Sequence, residues 1–359
     1  MKRLLLILFI ILLTACAVQP TGTPAPASPA PTAVPTEEPP SIVEVAEPTA
    51  TPEPTAAPTE APTATPEPTP EPTPEPMPEP TPEPPFSMVW VSDTQTMVAY
   101  PSMYEGFTAM CDWIVENAEA RNFKLYLHSG DMVDNGLNRE QWSRFCEGVR
   151  PIAEKMPLFV TAGNHDRAAK GPSYWTEQFF VTEFPPEQSF NDCSASYMIL
   201  NEGSTSILFL SICYVREVYD AELDWLKAVC DAHPDLPAVL LVHGYLTKDG
   251  GIVTMAQYME EVLVSQCPNI KLILCGHARG IARQTFVYDD DGDEVPDRTV
   301  NVLMYDVQED RKKYGYLCLL TYDPATNSLF VDSYSPFLDD YIYNDDDVDT
   351  ERFTIKNVF

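Results

Sequence analysis

Five short polar runs hold most of the side chains in this sequence that could do chemistry. They are Ser92-Asp93-Thr94-Gln95, Ser129-Gly130-Asp131-Met132-Val133-Asp134-Asn135-Gly136, Ala162-Gly163-Asn164-His165-Asp166, His243-Gly244 and Gly276-His277-Ala278-Arg279. Only five histidines occur in the chain, and three of them (His165, His243, His277) fall in these runs. The residue types suit a pair of hard or borderline divalent cations. The Asp131 carboxylate can bridge two ions, Asp93 supplies a second carboxylate, Asn164 an amide oxygen, and His243 and His277 imidazole nitrogens. Two cations ~3.5–4 Å apart can clamp a phosphate and hold a hydroxide for in-line attack. His165 directly follows a candidate ligand, so it can face a leaving group from the rim. Asp166 beside it can orient the ring and raise its basicity.

Each polar run follows an apolar stretch that must position it. Ser87–Val91, Lys124–His128, Pro157–Thr161, Ser196–Leu200, Ser206–Ile212, Ala238–Val242 and Ile270–Leu274 have the length and composition of buried strands. Between them, Phe107, Met110, Cys111, Ile114, Val115 and Ala118 recur at helical spacing. So do Trp142, Phe145, Val149 and Ile152, then Leu223, Leu226 and Val229, then Met255, Tyr258, Met259, Val262 and Leu263. From Ile281 the pattern is one of four short strands separated by turns. The front half is therefore α/β and the back half adds β-hairpins. In α/β proteins, groups placed beyond the carboxyl ends of strands converge on one crevice.

The ordered series D-x-Q, G-D-x-V-D, G-N-H-D, H-G, G-H-x-R resembles the calcineurin-like metallophosphoesterase superfamily, whose pattern is D-x-H, G-D-x-x-D, G-N-H-[DE], H, G-H-x-H. The match runs from about Val89 to Arg279. The resemblance implies an α/β (α+β) four-layer fold, two central β-sheets flanked by helices, with a dinuclear metal site that hydrolyses phosphoesters. Asp93 and Asp131 would hold metal one; Asp131, Asn164, His243 and His277 would hold metal two. His165 would be the acid or transition-state donor, backed by Asp166. The ions would be Mn, Fe, Zn or Mg. Two positions depart from the pattern. Gln95 stands where a ligand His is usual; its amide oxygen can still coordinate and favours a harder ion such as Mn²⁺ or Mg²⁺. Arg279 stands where a second metal-one His is usual, and a guanidinium cannot ligate a cation. Metal one is then expected to bind weakly or to need substrate, and Arg279 could instead grip a phosphate oxygen.

Composition bounds the rest. Of 36 prolines, 24 precede residue 86, so residues 17–85 are read as a Pro/Thr/Glu-rich disordered linker. At ~3.1 Å per residue in polyproline II geometry, it could reach on the order of 200 Å. Ahead of it, Met1-Lys2-Arg3, the apolar run Leu4–Leu13 and Leu13-Thr14-Ala15-Cys16 resemble a bacterial lipoprotein signal peptide with lipobox (residues 1–16). That resemblance implies a lipid on Cys16 and a membrane anchor on the outer face of the cell membrane, hence an extracytoplasmic location. Residues 86–359 remain for one metallophosphoesterase domain. A net charge of −32 argues against a nucleic-acid scaffold role.

Eight cysteines besides Cys16 permit up to four disulfides in an exported domain, with buried free thiols as the equal alternative. Asp289, Asp291, Asp293 and Asp297 lie in a stretch that resembles one Ca²⁺ loop of the D-x-D-G-D-x-V-P-D type; the alternative is an acidic hairpin turn. His128 is expected as a buried structural His. Asp134 and Asn135 either orient the site or cap the next turn. Arg167 either steers phosphate or is simply exposed. Tyr174 and Trp175 are expected in the core rather than lining a cleft. The sequence thus points to a metal-dependent phosphoesterase that hydrolyses phosphate mono- or diesters outside the cell. Its partner would be a phosphorylated small molecule or a cell-envelope phosphoester. A binding or structural lipoprotein with a degenerate metal site is the alternative that Gln95 and Arg279 keep open.

Overall fold

A computed structural model of the chain describes residues 83–167, 180–191, 193–214, 220–308, 310–344 and 347–359. Residues 1–16, read above as a signal peptide with lipobox Cys16, the expected linker up to residue 82, and Tyr174 and Trp175 lie outside the described residues.

The elements run β1 (Phe86–Val91), α1 (Gln95–Ala99), α2 (Tyr104–Asn117), β2 (Phe123–His128), α3 (Arg139–Ala153), β3 (Leu158–Val160), α4 (Phe180–Glu183), β4 (Gln188–Phe190), β5 (Ala195–Glu202) and β6 (Thr205–Ile212). Then follow α5 (Asp220–Ala232), β7 (Ala238–Val242), α6 (Thr254–Val262), β8 (Ile270–Cys275), β9 (Gly280–Tyr288), β10 (Arg298–Asp306), β11 (Leu317–Asp323), β12 (Ser328–Tyr334) and β13 (Phe353–Lys356). They build two sheets, one of six strands in the order β13-β12-β11-β1-β2-β3 and one of seven in the order β4-β5-β6-β7-β8-β10-β9. Within them β1, β2 and β3 are parallel neighbours, and so are β6, β7, β8 and β10.

The four layers follow from the two-residue period of the strands. In β1, Met88 and Trp90 point into a core shared with Phe209, Val239, Leu241 and Leu272 of the other sheet. Val89 and Val91 point the other way, onto Phe107, Met110, Trp142 and Phe145 of α2 and α3. A third core packs Leu208, Leu240 and Ile273 under Leu223, Leu226 and Met259 of α5 and α6. The order is therefore helices, sheet, sheet, helices. Sheets buried on both faces need continuous apolar strands, and these strands have them.

The C-terminal part differs from expectation. Five strands, not four, follow residue 279 among the described residues, and β9 and β10 are nine residues each rather than short. They form one antiparallel hairpin, and β10 also pairs in parallel with β8. The described chain is already fixed at Glu83, whose carboxylate accepts the Ser204 amide at 2.8 Å. All eight described cysteines carry free thiols, seven of them buried. No described helix is long and apolar enough to cross a membrane.

Candidate metal centre

The parallel strands deliver their polar runs to one end of both sheets, where backbone hydrogen bonds lace the loops together. Asp93 N–H donates to Gly130 O (3.0 Å), Gln95 N–H to Asp131 O (3.0 Å), Gly136 N–H to His165 O (2.7 Å) and Gly276 N–H to His243 O (2.8 Å). The loops approach too closely for ordinary side chains. A Cβ on Gly163 would collide with the Asp131 carboxylate, and one on Gly276 with Ser92 and Asp93. Four site residues sit in left-handed backbone: Asp93 (φ 56°), Asp131 (55°), His277 (75°) and Arg279 (42°). Each such residue costs on the order of 1–3 kcal/mol and persists only where its surroundings fix it.

Four donor atoms from four loops meet at one point. His243 Nε2 lies 3.1 Å from Asp131 Oδ2, 3.1 Å from Asn164 Oδ1 and 3.2 Å from His277 Nδ1. His243 Nδ1–H donates to the Ser129 carbonyl at 3.0 Å, which fixes the tautomer and turns the Nε2 lone pair toward the cluster. Burial alone would push the His243 pKa down. The Asp131 carboxylate, Asp93 and the Ser129 carbonyl together outweigh burial and raise the ring to about 10. In turn, His243 brings Asp131 below the usual carboxylate range although burial acts the other way. Burial, then His243, lowers His277. Two imidazoles, a carboxylate and an amide oxygen that crowd one another in this way fit a borderline divalent cation, which would replace the proton shared between His243 and Asp131.

Asp93 stands beside this cluster with Oδ2 accepting from Ser92 Oγ and, at 3.0 Å, from His277 N–H. Its carboxyl is pushed well up by burial first and by the charge of Asp306 second. Gln95 is 4% exposed, and its Oε1 has no hydrogen-bond partner. A buried, unpaired amide oxygen is costly unless something fills its need, and a cation would. The donor sets on both sides of Asp131 thus fit metal ions.

His165 is placed at the rim, its side chain 39% exposed. Its Nδ1 lies 2.8 Å from the Asp134 carbonyl, which can only accept, so Nδ1 carries a proton and Nε2 faces the site, 4.0 Å from Asp131 Oδ2. The structure corrects the expectation for Asp166. That carboxylate does not touch the His165 ring. It turns inward, fully buried, and accepts from Gly163 N–H (2.7 Å) and Val133 N–H (3.0 Å). Neighbours in a tight turn point to opposite sides, so Asp166 locks the two loops while Asp134 orients the ring. Burial, then Asp131, raises Asp166 to about 7. Asn135 Oδ1 accepts from Leu137 N–H at 3.0 Å, a turn contact.

His128 is buried as expected. Its Nδ1 accepts from Gly130 N–H (3.2 Å) and its Nε2–H donates to Thr94 Oγ1 (3.1 Å), so it braces the loop that carries Asp131. Arg279 is exposed, and its amide donates to Asp306 Oδ2 at 2.8 Å. Arg167 is half-buried with an unpartnered Nη1. Sequence reasoning missed Tyr214, whose ring lies 5.3 Å from that of His277 and 5.6 Å from that of His243, and Asp306. Asp289, Asp291 and Asp297 gather in the β9–β10 turn, all exposed, with Asp293 outside the group. Their oxygens accept the turn's own amides, from Gly292 N–H at 2.7 Å to Asp290 N–H at 2.7 Å.

Comparison with known proteins follows the same residues. A Bacillus subtilis (strain 168) protein described as uncharacterized protein YvnB is 30% identical over 271 residues, 73% of this chain and 21% of that protein. This chain therefore spans only about a fifth of that relative. Among solved structures, purple acid phosphatase PPD1 from yellow lupin is similar with a TM-score of 0.48 and 13% identity, over 76% of this chain and 54% of that one. GAP50, described as the anchor in the inner membrane complex of Plasmodium, is similar with a TM-score of 0.45 and 10% identity, over 76% and 88%. The family model for calcineurin-like phosphoesterases matches residues 86–278, more than half of the chain, and the chain belongs to that family.

Proposed function

We propose that this protein is a metal-dependent phosphoesterase that acts outside the cell on a phosphorylated small molecule or a cell-envelope phosphoester. In this reading a lipid on Cys16 holds it to the outer face of the membrane, and residues 17–85 carry the domain outward. The observation that carries the catalytic part is the meeting of Asp131 Oδ2, Asn164 Oδ1 and His277 Nδ1 within 3.2 Å of His243 Nε2.

Asp131, Asn164, His243 and His277 would hold one divalent ion, and Asp93, Gln95 and Asp131 a second. Such ions polarise a phosphoryl oxygen and lower the pKa of water. The chain's own residues do the rest. Arg279, exposed at the mouth, offers a planar fork of donors to non-bridging phosphate oxygens. His165, its Nδ1–H held by the Asp134 carbonyl, turns Nε2 to the site, and in its imidazolium form gives the Nε2 proton to the departing oxygen. Asp166 and His128 keep the loops in register without touching substrate.

Turnover of p-nitrophenyl phosphate and of its bis-ester, measured with and without Mn²⁺ and after chelation, tests the reading. Metal-restored hydrolysis supports it. Full activity after thorough chelation sinks the metal mechanism. Metal binding with no hydrolysis of any phosphoester would favour the binding lipoprotein that Gln95 and Arg279 suggest.

A further inference from the structure

We infer that Asp306, at the carboxyl end of β10, is a further protein ligand of the ion on the Asp93 side of the centre, and that it makes this position an all-oxygen site. The inference rests on the metal-dependent reading above. No motif marks Asp306, and it lies outside the span matched by the family model.

Three observations lead to it. The first is backbone geometry. Loop 276–279 uses two amides, two residues apart, to grip two carboxylates: His277 N–H donates to Asp93 Oδ2 at 3.0 Å and Arg279 N–H donates to Asp306 Oδ2 at 2.8 Å. One loop therefore presents both acids at the same end of the sheets. Neighbouring contacts agree. Asp306 pairs with Gly280 in the β9–β10 ladder, and Gln308 O accepts from Thr96 Oγ1, next to Gln95, at 3.1 Å. The second observation is burial. Asp93, Asp131 and Asp306 are 1%, 2% and 4% exposed. Buried acids gathered by one loop are costly to ionise, and a cation held among them offsets that cost. The third is Gln95, whose amide donates to Asp131 O at 3.0 Å while its buried Oε1 has no partner. It is an oxygen donor available to the same ion.

Position 279 explains why an extra acid is useful here. Its guanidinium cannot ligate, so the position offers no donor to a cation. Asp306 would supply an oxygen instead, pinned by the amide of that same residue. The donors on this side are then Asp93, Asp131, Gln95 and Asp306, all oxygen, whereas the other side has two imidazoles. Oxygen sets suit Mg²⁺ and Mn²⁺, and imidazoles suit Zn²⁺ and Fe as well. The two positions should accordingly differ in both affinity and metal preference.

Calorimetric titration of Mn²⁺ into the chelator-stripped protein, with metal counting by mass spectrometry, tests this. Wild type should bind two Mn²⁺ in two phases. D306N keeps an acceptor for the Arg279 amide but loses the charge, so it should weaken the weaker phase by about tenfold or more and leave the tighter phase in place. Circular dichroism of D306N and D306A separates ligand loss from misfolding. In any folded D306N, two unchanged phases overturn the inference, and so does a wild type that binds only one Mn²⁺. His243→Ala should remove the tighter phase. If wild type binds no Mn²⁺, or if His243→Ala changes neither phase, the metal centre itself is wrong, a failure distinct from an inert Asp306.

Discussion

The two sheets arm the centre differently. The six-stranded sheet ends its strands in oxygen: Asp93 after β1, Asp131 after β2, Asn164 after β3. The seven-stranded sheet ends β7 and β8 in nitrogen, His243 and His277. The oxygen side is closed, with Asp93 and Asp131 nearly inaccessible, whereas the nitrogen side opens toward solvent through the half-buried His277 and exposed Arg279. Neither sheet can hold a borderline cation alone. A metal here would add a cross-link at one end of two sheets that already share a core, and its loss should be felt in stability as well as in chemistry.

The sharpest way to break this division is to remove its shared member. Asp131→Ala should reduce p-nitrophenyl phosphate hydrolysis to the uncatalysed background and strip metal, because both donor sets use this carboxylate. Retained metal at wild-type stoichiometry would refute the shared role. Next in size is His165→Ala, which lies outside both donor sets. Turnover should fall by ~10²–10⁴-fold with metal content unchanged, and the loss should shrink for good leaving groups. An equal loss across leaving groups would show that His165 does not donate the proton.

Chelation probes the cross-link directly. A ligand at a hundred times its Kd adds about 2.7 kcal/mol to stability. For a domain of this size that corresponds to about 5–10 °C in Tm. Calorimetry with and without EDTA should show the drop, and His243→Ala should shrink the difference. An unchanged Tm would mean that the sheets need no staple.

The smallest effect belongs to His128, on the oxygen side. Burial, then His243, lowers its pKa from 6.5 to about 3. Below pH 6.5 the unfolded chain takes up a proton that the folded ring refuses, so stability falls as pH drops from 6.5 toward 3 and is unaffected above that window. At pH 5 the cost is about 2 kcal/mol. Urea midpoints of the metal-free protein at pH 7 and pH 5 should differ by more in wild type than in His128→Asn. Equal pH dependence in the two would remove His128 as the cause.

Much of this was legible in the sequence, for a physical reason. Strands buried on both faces must be continuous apolar runs, so Ala238–Val242 has the same bounds in the sequence pattern and in the structure. The donors lie just past such runs, where motif spacing marks them. What was hidden depends on pairing that is distant in sequence. Asp306 matters because β10 inserts between β8 and β9, and no local pattern records that choice. The role given to Asp166 was misread because sequence adjacency to His165 says nothing about which side of a tight turn a carboxylate takes. β4 was missed because its three residues are largely exposed and carry no apolar signal.

The way the chain enters the domain has a mechanical consequence. Residues before Phe86 lead straight into β1, an inner strand bonded on one side to β11 and on the other to β2. A pull on that segment would first strain the Glu83–Ser204 contact. It would then load two hydrogen-bond ladders in shear at once, rather than peel an edge strand bond by bond. Asp93 sits at the far end of the same strand. A slip of one residue would send every β1 side chain to the wrong face and carry Asp93 out of the centre, so the pull on Phe86 and the geometry of the candidate metal site are coupled through six residues of backbone.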